Sequence, residues 1–310
     1  MNNSAEQSLP FFRRLLSFGL ERFNPLSHFV MITLFVACHF FAARLGERAV
    51  VRSIGAIVAL SIGTAAFFFK LRVYDEIKDY DVDRKFKPTR PLARGLVTIA
   101  ELKRVIVACV VVELAAFGLI SPQAACAIAV AIAYSLLMYK EFFIGKILRP
   151  HLTTYAVSHT FVSAILSLTL FSTLHGRFFW QETRSAFLFA FANWCLFNIF
   201  EFGRKTYATS EERPGIDSYS SIFGRSGAAA LSVAMAAITA AVVPCMSGTP
   251  RPATAVFLWL LSALLAGTGI VYAASNRSTV AHIFRVASSV FIIVVFAGLA
   301  VLFAVFAPLR

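Results

Sequence analysis

Charge is scarce in this sequence. Only 15% of its 310 residues are Asp, Glu, Lys or Arg, against 58% hydrophobic, and the mean hydropathy is +0.74. That balance excludes a soluble domain of this size. Cysteine is sparse too, and the five present (Cys38, Cys109, Cys126, Cys195, Cys245) lie singly inside apolar stretches. With no paired spacing, neither a disulfide framework nor a zinc site is supported. No linker, low-complexity stretch or soluble insert divides the chain, so it reads as a single transmembrane domain over 26–310 behind an N-terminal cytoplasmic or interfacial segment, 1–25. In that segment Arg13-Arg14 is followed by Glu21, Arg22 and Pro25 rather than by an apolar core with a small-residue cleavage site, so no cleaved signal is expected. Phe11, Phe12, Leu15, Leu16 and Leu20 have the spacing of an interfacial amphipathic helix, with a frayed terminus as the alternative.

Apolar segments fall near 26–46, 50–72, 99–120, 122–139, 151–174, 184–203, 226–248, 252–274 and 281–307. Each approaches the ~20 residues an α-helix needs to cross the hydrocarbon core, too long for barrel strands. The expected fold is therefore all-α, a polytopic membrane bundle of about nine transmembrane helices. A formal charge of +13 would suggest nucleic acid in a soluble protein, but here it must be read loop by loop. With the N-terminus cytoplasmic, 22 of the 29 Lys and Arg fall on the cytoplasmic side and 7 on the other. That bias predicts an N-in, C-out topology in an inner or plasma membrane, with the long loops 73–98 and 204–225 on the cytoplasmic face. Nucleic acid is not expected as a partner; membrane lipid is.

Acids are rarer than bases, 16 in all, and five of them crowd into Asp75-Glu76-Ile77-Lys78-Asp79-Tyr80-Asp81-Val82-Asp83 at the mouth of the second segment. On a continuous helix Asp75, Glu76, Asp79 and Asp83 fall within an arc of roughly 100°. Four carboxylates on one face need counter-charge, and Mg²⁺ supplies it, taking one or two carboxylates per ion and completing its shell with water and phosphate oxygens. The alternative is a solvated helix end balanced by Lys78, Arg84, Lys85 and Lys87. Downstream, Lys87-Pro88-Thr89-Arg90-Pro91-Leu92-Ala93-Arg94-Gly95 fixes a loop in which Arg90 and Arg94 present planar donors suited to phosphate. Metal carboxylates beside arginines, at the edge of a membrane, point to a diphosphate carried on an isoprenoid tail.

Here the chain resembles the UbiA-type intramembrane prenyltransferase superfamily, whose first motif, Asn-Asp-x-x-Asp-x-x-x-Asp, ends its second transmembrane helix. Asp75 stands for the Asn and Glu76 for the first Asp, and the family's Arg-Pro-x-x-x-Gly matches Arg90 to Gly95. The resemblance implies a Mg²⁺-dependent transferase moving a polyprenyl group from its diphosphate to a lipophilic acceptor, such as an aromatic or quinone precursor. It implies metal ligation by Glu76, Asp79 and Asp83, supported by Asp75, and diphosphate binding by Arg90 and Arg94. The family's second motif, Asp-x-x-x-Asp at the end of the sixth helix, reads Asn198-Ile-Phe-Glu201-Phe-Gly-Arg204-Lys205 here. Asn198, Glu201 and Lys205 share an arc of ~60°. Glu201 is a further metal candidate, and Asn198 and Lys205 are candidates for diphosphate binding. The lysine departs from the family pattern: it cannot ligate a metal, but it can pair with Glu201 or a phosphate. Glu211 and Glu212 in the following loop are either recruited to the metal or ordinary solvated residues.

Other polar residues sit within apolar segments. Glu113 is either functional or protonated and hydrogen-bonded; His159 and Asn193 are expected to bridge helices; Tyr134, Tyr139 and Lys140 read as interface anchors or as a gate. Among 32 phenylalanines, Phe67-Phe68-Phe69 precede the acidic motif, where aromatic faces would stabilise an allylic cation, although most of these rings are expected to face lipid or other helices. Two other functions are compatible with the sequence. One is a membrane terpene cyclase of the same fold. The other is a cation-coupled transporter, which needs acids near the bilayer midplane, where only Glu113 qualifies.

Overall fold

In the computed structural model, residues 8–45, 51 and 53–306 are described. The start of the 1–25 segment, the expected segment ends at 46, 50 and 307, and Arg310 lie outside the described residues. Among those described, the chain is helical throughout with no strand. The elements used below are α1 (Phe11–Arg22), α2 (Pro25–Ala43), α3 (Ile54–Lys78), α4 (Tyr80–Phe86), α5 (Ile99–Gly118), α6 (Pro122–Tyr139), α7 (Leu152–Thr160), α8 (Val162–His175), α9 (Arg184–Arg204), α10 (Tyr219–Val242), α11 (Arg251–Ala274) and α12 (Ser278–Phe306).

Local chemistry sets the boundaries. Asn24, Ser53, Ser121, Thr183 and Ser218 each accept a backbone N–H in the first turn of the helix that follows. Pro25 and Pro122 occupy the position where a missing N–H costs nothing. Thr98 and Glu101 form a reciprocal capping box at the start of α5. Gly176, at φ 66°, takes the left-handed conformation that stops α8.

Among the described residues, eight helical stretches are long and apolar enough to cross a membrane; α7 and α8 form one of them, Leu152–His175. The ninth expected segment is α5. It is 20 residues long, but Glu101, Lys103, Arg104 and Glu113 make it too polar to stand among the eight. It packs along α3 and α6 within the same bundle. Close approach there is built on Gly63 of α3, where a Cβ would lie 2.6 Å from the Phe117 ring of α5. The ring of helices closes where α2 packs against α12, and α9 lies against α8, α10 and α12.

The N-terminal segment does form the amphipathic helix. Phe12, Leu16 and Leu20 of α1 are exposed, while Phe18 is fully buried in the core. Three ion pairs clasp α1 to the bundle: Arg14 to Glu101, Arg22 to Glu76, and Glu21 to Arg94.

Candidate active site

The acidic motif is not one continuous helix. α3 ends at Lys78, Asp79 serves as its C-cap with φ −85° and ψ 0°, and α4 starts afresh at Tyr80. The single carboxylate face expected from a 100° advance is therefore split. Glu76 is engaged by other cations: its side chain is buried and receives a 2.7 Å hydrogen bond from Arg22, with Arg72 at 4.0 Å. Asp83 is buried against Arg90, which donates to it. Asp75 remains 55% exposed, with Arg72 at 3.8 Å, and lies within electrostatic reach of Asp79, Glu201 and Arg204. Asp79 has no cation within ion-pair distance among the described residues. Although the side chain is exposed, desolvation by the residues crowded around it, and next the negative charge of Asp83, raise its carboxyl above the ordinary range; Arg90, Lys78 and Lys87 act in the opposite direction.

The proline-rich loop divides in the same way. Arg90 reaches Asp83, whereas Arg94 donates to both oxygens of Glu21 at 2.6 and 2.9 Å and to the Thr89 carbonyl at 2.8 Å. Gly95, at φ 82°, makes the turn that returns Leu96 to a hydrogen bond with the Pro91 carbonyl. The carboxylate of Glu21 is held below its ordinary range chiefly by the hydrogen bond from Arg94.

Across the bundle, the last turn of α9 carries Glu201, which Arg204 grips at 2.5 Å and Lys205 at 3.0 Å. The expected Glu201–Lys205 contact is present. Arg204 was not singled out in the sequence, although it sits one turn beyond Glu201. Asn198 is fully buried and engaged structurally: its carbonyl accepts from Thr160 at 2.8 Å and its amide donates to the Trp194 carbonyl at 2.9 Å. Glu211 and Glu212 do not turn toward the other acids. Glu211 is bound by Arg285 at 2.7 Å, whose hydrogen bond is the main cause of its lowered pKa, and Glu212 accepts from Ser218 and Ser220.

A third wall comes from α7. Lys78 donates to His159 Nε2 at 3.2 Å, while His159 Nδ1 donates to the Tyr155 carbonyl at 2.7 Å, which fixes the tautomer. The Tyr155 ring stacks on His159 at 3.8 Å, and Lys78 Nζ lies 5.0 Å from the Tyr155 ring centre. Tyr155 is also within electrostatic reach of Asp75 and Asp79. The sequence signal for Tyr155 was its four-residue spacing from His159. The remaining polar candidates bridge helices: Asn193 donates to the Ser163 carbonyl, Tyr134 to the Ser158 carbonyl, and Tyr139 stacks on Tyr74 at 4.6 Å. Lys140 lies 5.5 Å from the Tyr139 ring centre. Glu113 is paired with Lys70 in the bundle interior.

Carboxylates at the end of α3 thus oppose an acid held by two cations at the end of α9, with a sequence profile of the UbiA prenyltransferase family matching residues 30–292. The chain belongs to the UbiA prenyltransferase family. It is an integral, multi-pass membrane enzyme that transfers prenyl groups. A comparison with curated proteins finds no match. Solved UbiA-like structures share its fold. A digeranylgeranylglyceryl phosphate synthase, 11% identical, covers 94% of this chain and 99% of its own with a TM-score of 0.64. A UbiA homologue from Archaeoglobus fulgidus bound to DMAPP and Mg²⁺ is 15% identical over 87% of this chain and 97% of its own, TM-score 0.57. A UbiA homologue from Aeropyrum pernix K1 in its apo form is 19% identical over 84% and 97%, TM-score 0.54. At these identities the likeness is one of fold.

Proposed function

We propose that the protein moves a prenyl group from its diphosphate to a lipophilic acceptor, with Mg²⁺ held at the cytoplasmic ends of α3 and α9. The observation that carries this reading is the juxtaposition of Asp75 and Asp79 with the Glu201–Arg204–Lys205 cluster. Among the described residues no three His, Cys, Asp or Glu converge on one point. Mg²⁺ does not require such a set, since water and substrate oxygens complete its shell. Asp79, exposed at the mouth beside the like charge of Asp83 and without its own ion pair, is a carboxylate that a divalent cation would relieve. The donors fit. Asp75 and Asp79 would hold the ion, with Asp83 and Glu201 adjoining; Glu76, committed to Arg22, would orient the end of α3 instead.

Bound Mg²⁺ would neutralise the charge that builds on the departing diphosphate. Arg90, Arg204 and Lys205 would bind its oxygens, exchanging their carboxylate partners for phosphate. Half-buried Phe68 on α3, two turns below Asp75, would face the prenyl tail and help to exclude water from it. The lysine and arginine bias supports a cytoplasmic side for this chemistry, in an inner or plasma membrane.

The test is binding of geranyl diphosphate to the full chain in detergent over a Mg²⁺ titration. Asp79→Ala and Asp75→Asn should abolish the Mg²⁺-dependent part of binding, while Glu76→Gln should leave the half-saturating Mg²⁺ concentration in place. Wild-type Mg²⁺ dependence in both aspartate variants would overturn the assignment.

A further inference from the structure

Beneath the acidic mouth the bundle contains a layer of phenylalanines. Phe68 lies seven residues before Asp75 on α3 and Phe197 four before Glu201 on α9. Each therefore sits within about 40° of the same helical face as its acid, at depths of ~10 and ~6 Å respectively. α3 and α9 do not pack side by side among the described residues. Their two rings nevertheless meet, stacked at 5.9 Å with an interplanar angle of 10°. They bridge the interior between the two walls of the site.

The layer continues into the buried core. Phe35 of α2 stands edge-on to both rings, 5.7 Å from Phe68 and 6.3 Å from Phe197, and Phe296 of α12 backs it at 5.5 Å. Phe35 and Phe296 are fully buried, whereas Phe68 and Phe197 are only half-buried. The exposed surface of the layer therefore belongs to the two rings nearest the acids. Interiors packed in this way yield little to an added group without repacking.

We infer that the Phe68–Phe197 stack is the floor of the donor site and restricts this enzyme to short prenyl diphosphates, of five or ten carbons. The inference rests on the prenyl diphosphate reading of the mouth. An isoprene unit contributes four carbon–carbon bonds of about 1.5 Å and spans ~5 Å when extended. Two units take up the ~10 Å between Asp75 and Phe68, and a third meets the stacked rings. A longer tail has to separate the rings and push Phe35 off its seat on Phe296.

The experiment measures binding of dimethylallyl, geranyl, farnesyl and geranylgeranyl diphosphates to the full chain in detergent at saturating Mg²⁺. It is repeated with Phe68→Ala, Phe197→Ala and the milder Phe68→Leu. In the wild type, affinity should rise or hold to ten carbons and fall by roughly tenfold or more beyond them. In the variants, the ratio of geranylgeranyl to geranyl affinity should increase by about tenfold. Equal binding of ten- and twenty-carbon donors by the wild type would overturn the floor while leaving the prenyl diphosphate reading intact. An unchanged ratio in folded variants would overturn it as well. Failure of every donor to bind would instead overturn the reading on which the inference rests.

Discussion

The Lys70–Glu113 pair gives a sharp test of how this bundle tolerates charge. Both side chains are wholly inaccessible, Nζ and Oε2 are 2.5 Å apart, and the pair ties α3 to α5 little more than one turn below the acidic motif. Lys70 also lies 4.4 Å from the Phe67 ring centre, while Oε1 of Glu113 has no hydrogen-bond partner among the described residues. At this distance and an effective dielectric of about 20, the attraction is about 6–7 kcal/mol. Removing two ions from water costs several kcal/mol each, so the pair as a whole contributes little net stability. Loss of one member is different, because the survivor keeps its desolvation cost and loses its compensation. Lys70→Met and Glu113→Leu should each destabilise by about 3–5 kcal/mol, whereas the double variant should come within about 1 kcal/mol of wild type. The measurement is the midpoint of unfolding by SDS in mild detergent micelles, arranged as a double-mutant cycle. Additive losses, with the double variant worse than either single one, would refute the reasoning.

Lys205→Ala should weaken geranyl diphosphate binding by roughly tenfold, the scale of one charge-assisted hydrogen bond, without moving the Mg²⁺ requirement; a shift in the Mg²⁺ requirement alone would place the lysine on the metal site. Glu211 is held below its ordinary pKa of 4.5 mainly by Arg285, so its contribution is complete above that value and is lost as pH falls through the lower folded value. Protection factors of the loop 205–218 amides, corrected for the intrinsic pH dependence of exchange, should therefore be higher at pH 7 than at pH 3, the partly exposed pair being worth about 1 kcal/mol; in Arg285→Ala they should already be low at pH 7, and equal protection in wild type and variant would disprove the tie. Cysteine placed at Lys85 in a background lacking native cysteines should react with an impermeant reagent only from the cytoplasmic side, and one at Trp180 only from the other; labelling of both from one side would contradict the topology.

The helices were legible because the membrane imposes them. Hydrocarbon forces every backbone polar group into intrahelical bonds, so an apolar run of sufficient length has little choice but helix. The mouth of the site was legible for the opposite reason: five acids beside such a run stand out where charge is costly. Direction was not legible. The 100° rule put Glu76 with Asp79 and Asp83, but no spacing reveals that its buried carboxylate is taken by Arg22. Nor were partners far along the chain. Arg22 lies 54 residues from Glu76, and Glu21 lies 73 from Arg94, joined only because α1 folds back over the mouth. Glu113 likewise read as an isolated intramembrane acid because Lys70, 43 residues earlier, sits in another helix.

These pairings explain why the motif residues divide into two sets. A membrane enzyme that handles a doubly charged diphosphate must carry cations at its mouth, and before substrate arrives those cations need anions. Glu21, Asp83 and Glu201 are those anions for Arg94, Arg90 and the Arg204–Lys205 pair. Each is a carboxylate of strength similar to a phosphate oxygen, so the exchange on binding is close to balanced and the net gain comes from where charge is left uncompensated. That place is Asp79, with Asp75 beside it. Burying Glu76 under Arg22 follows the same economy of charge: at 1% exposure its side chain would be untenable without a fixed cation, and the same contact anchors α1, which binds Arg94 one residue earlier. The N-terminal helix is therefore continuous with the site in electrostatic terms, although neither its sequence nor its distance along the chain marks it as such.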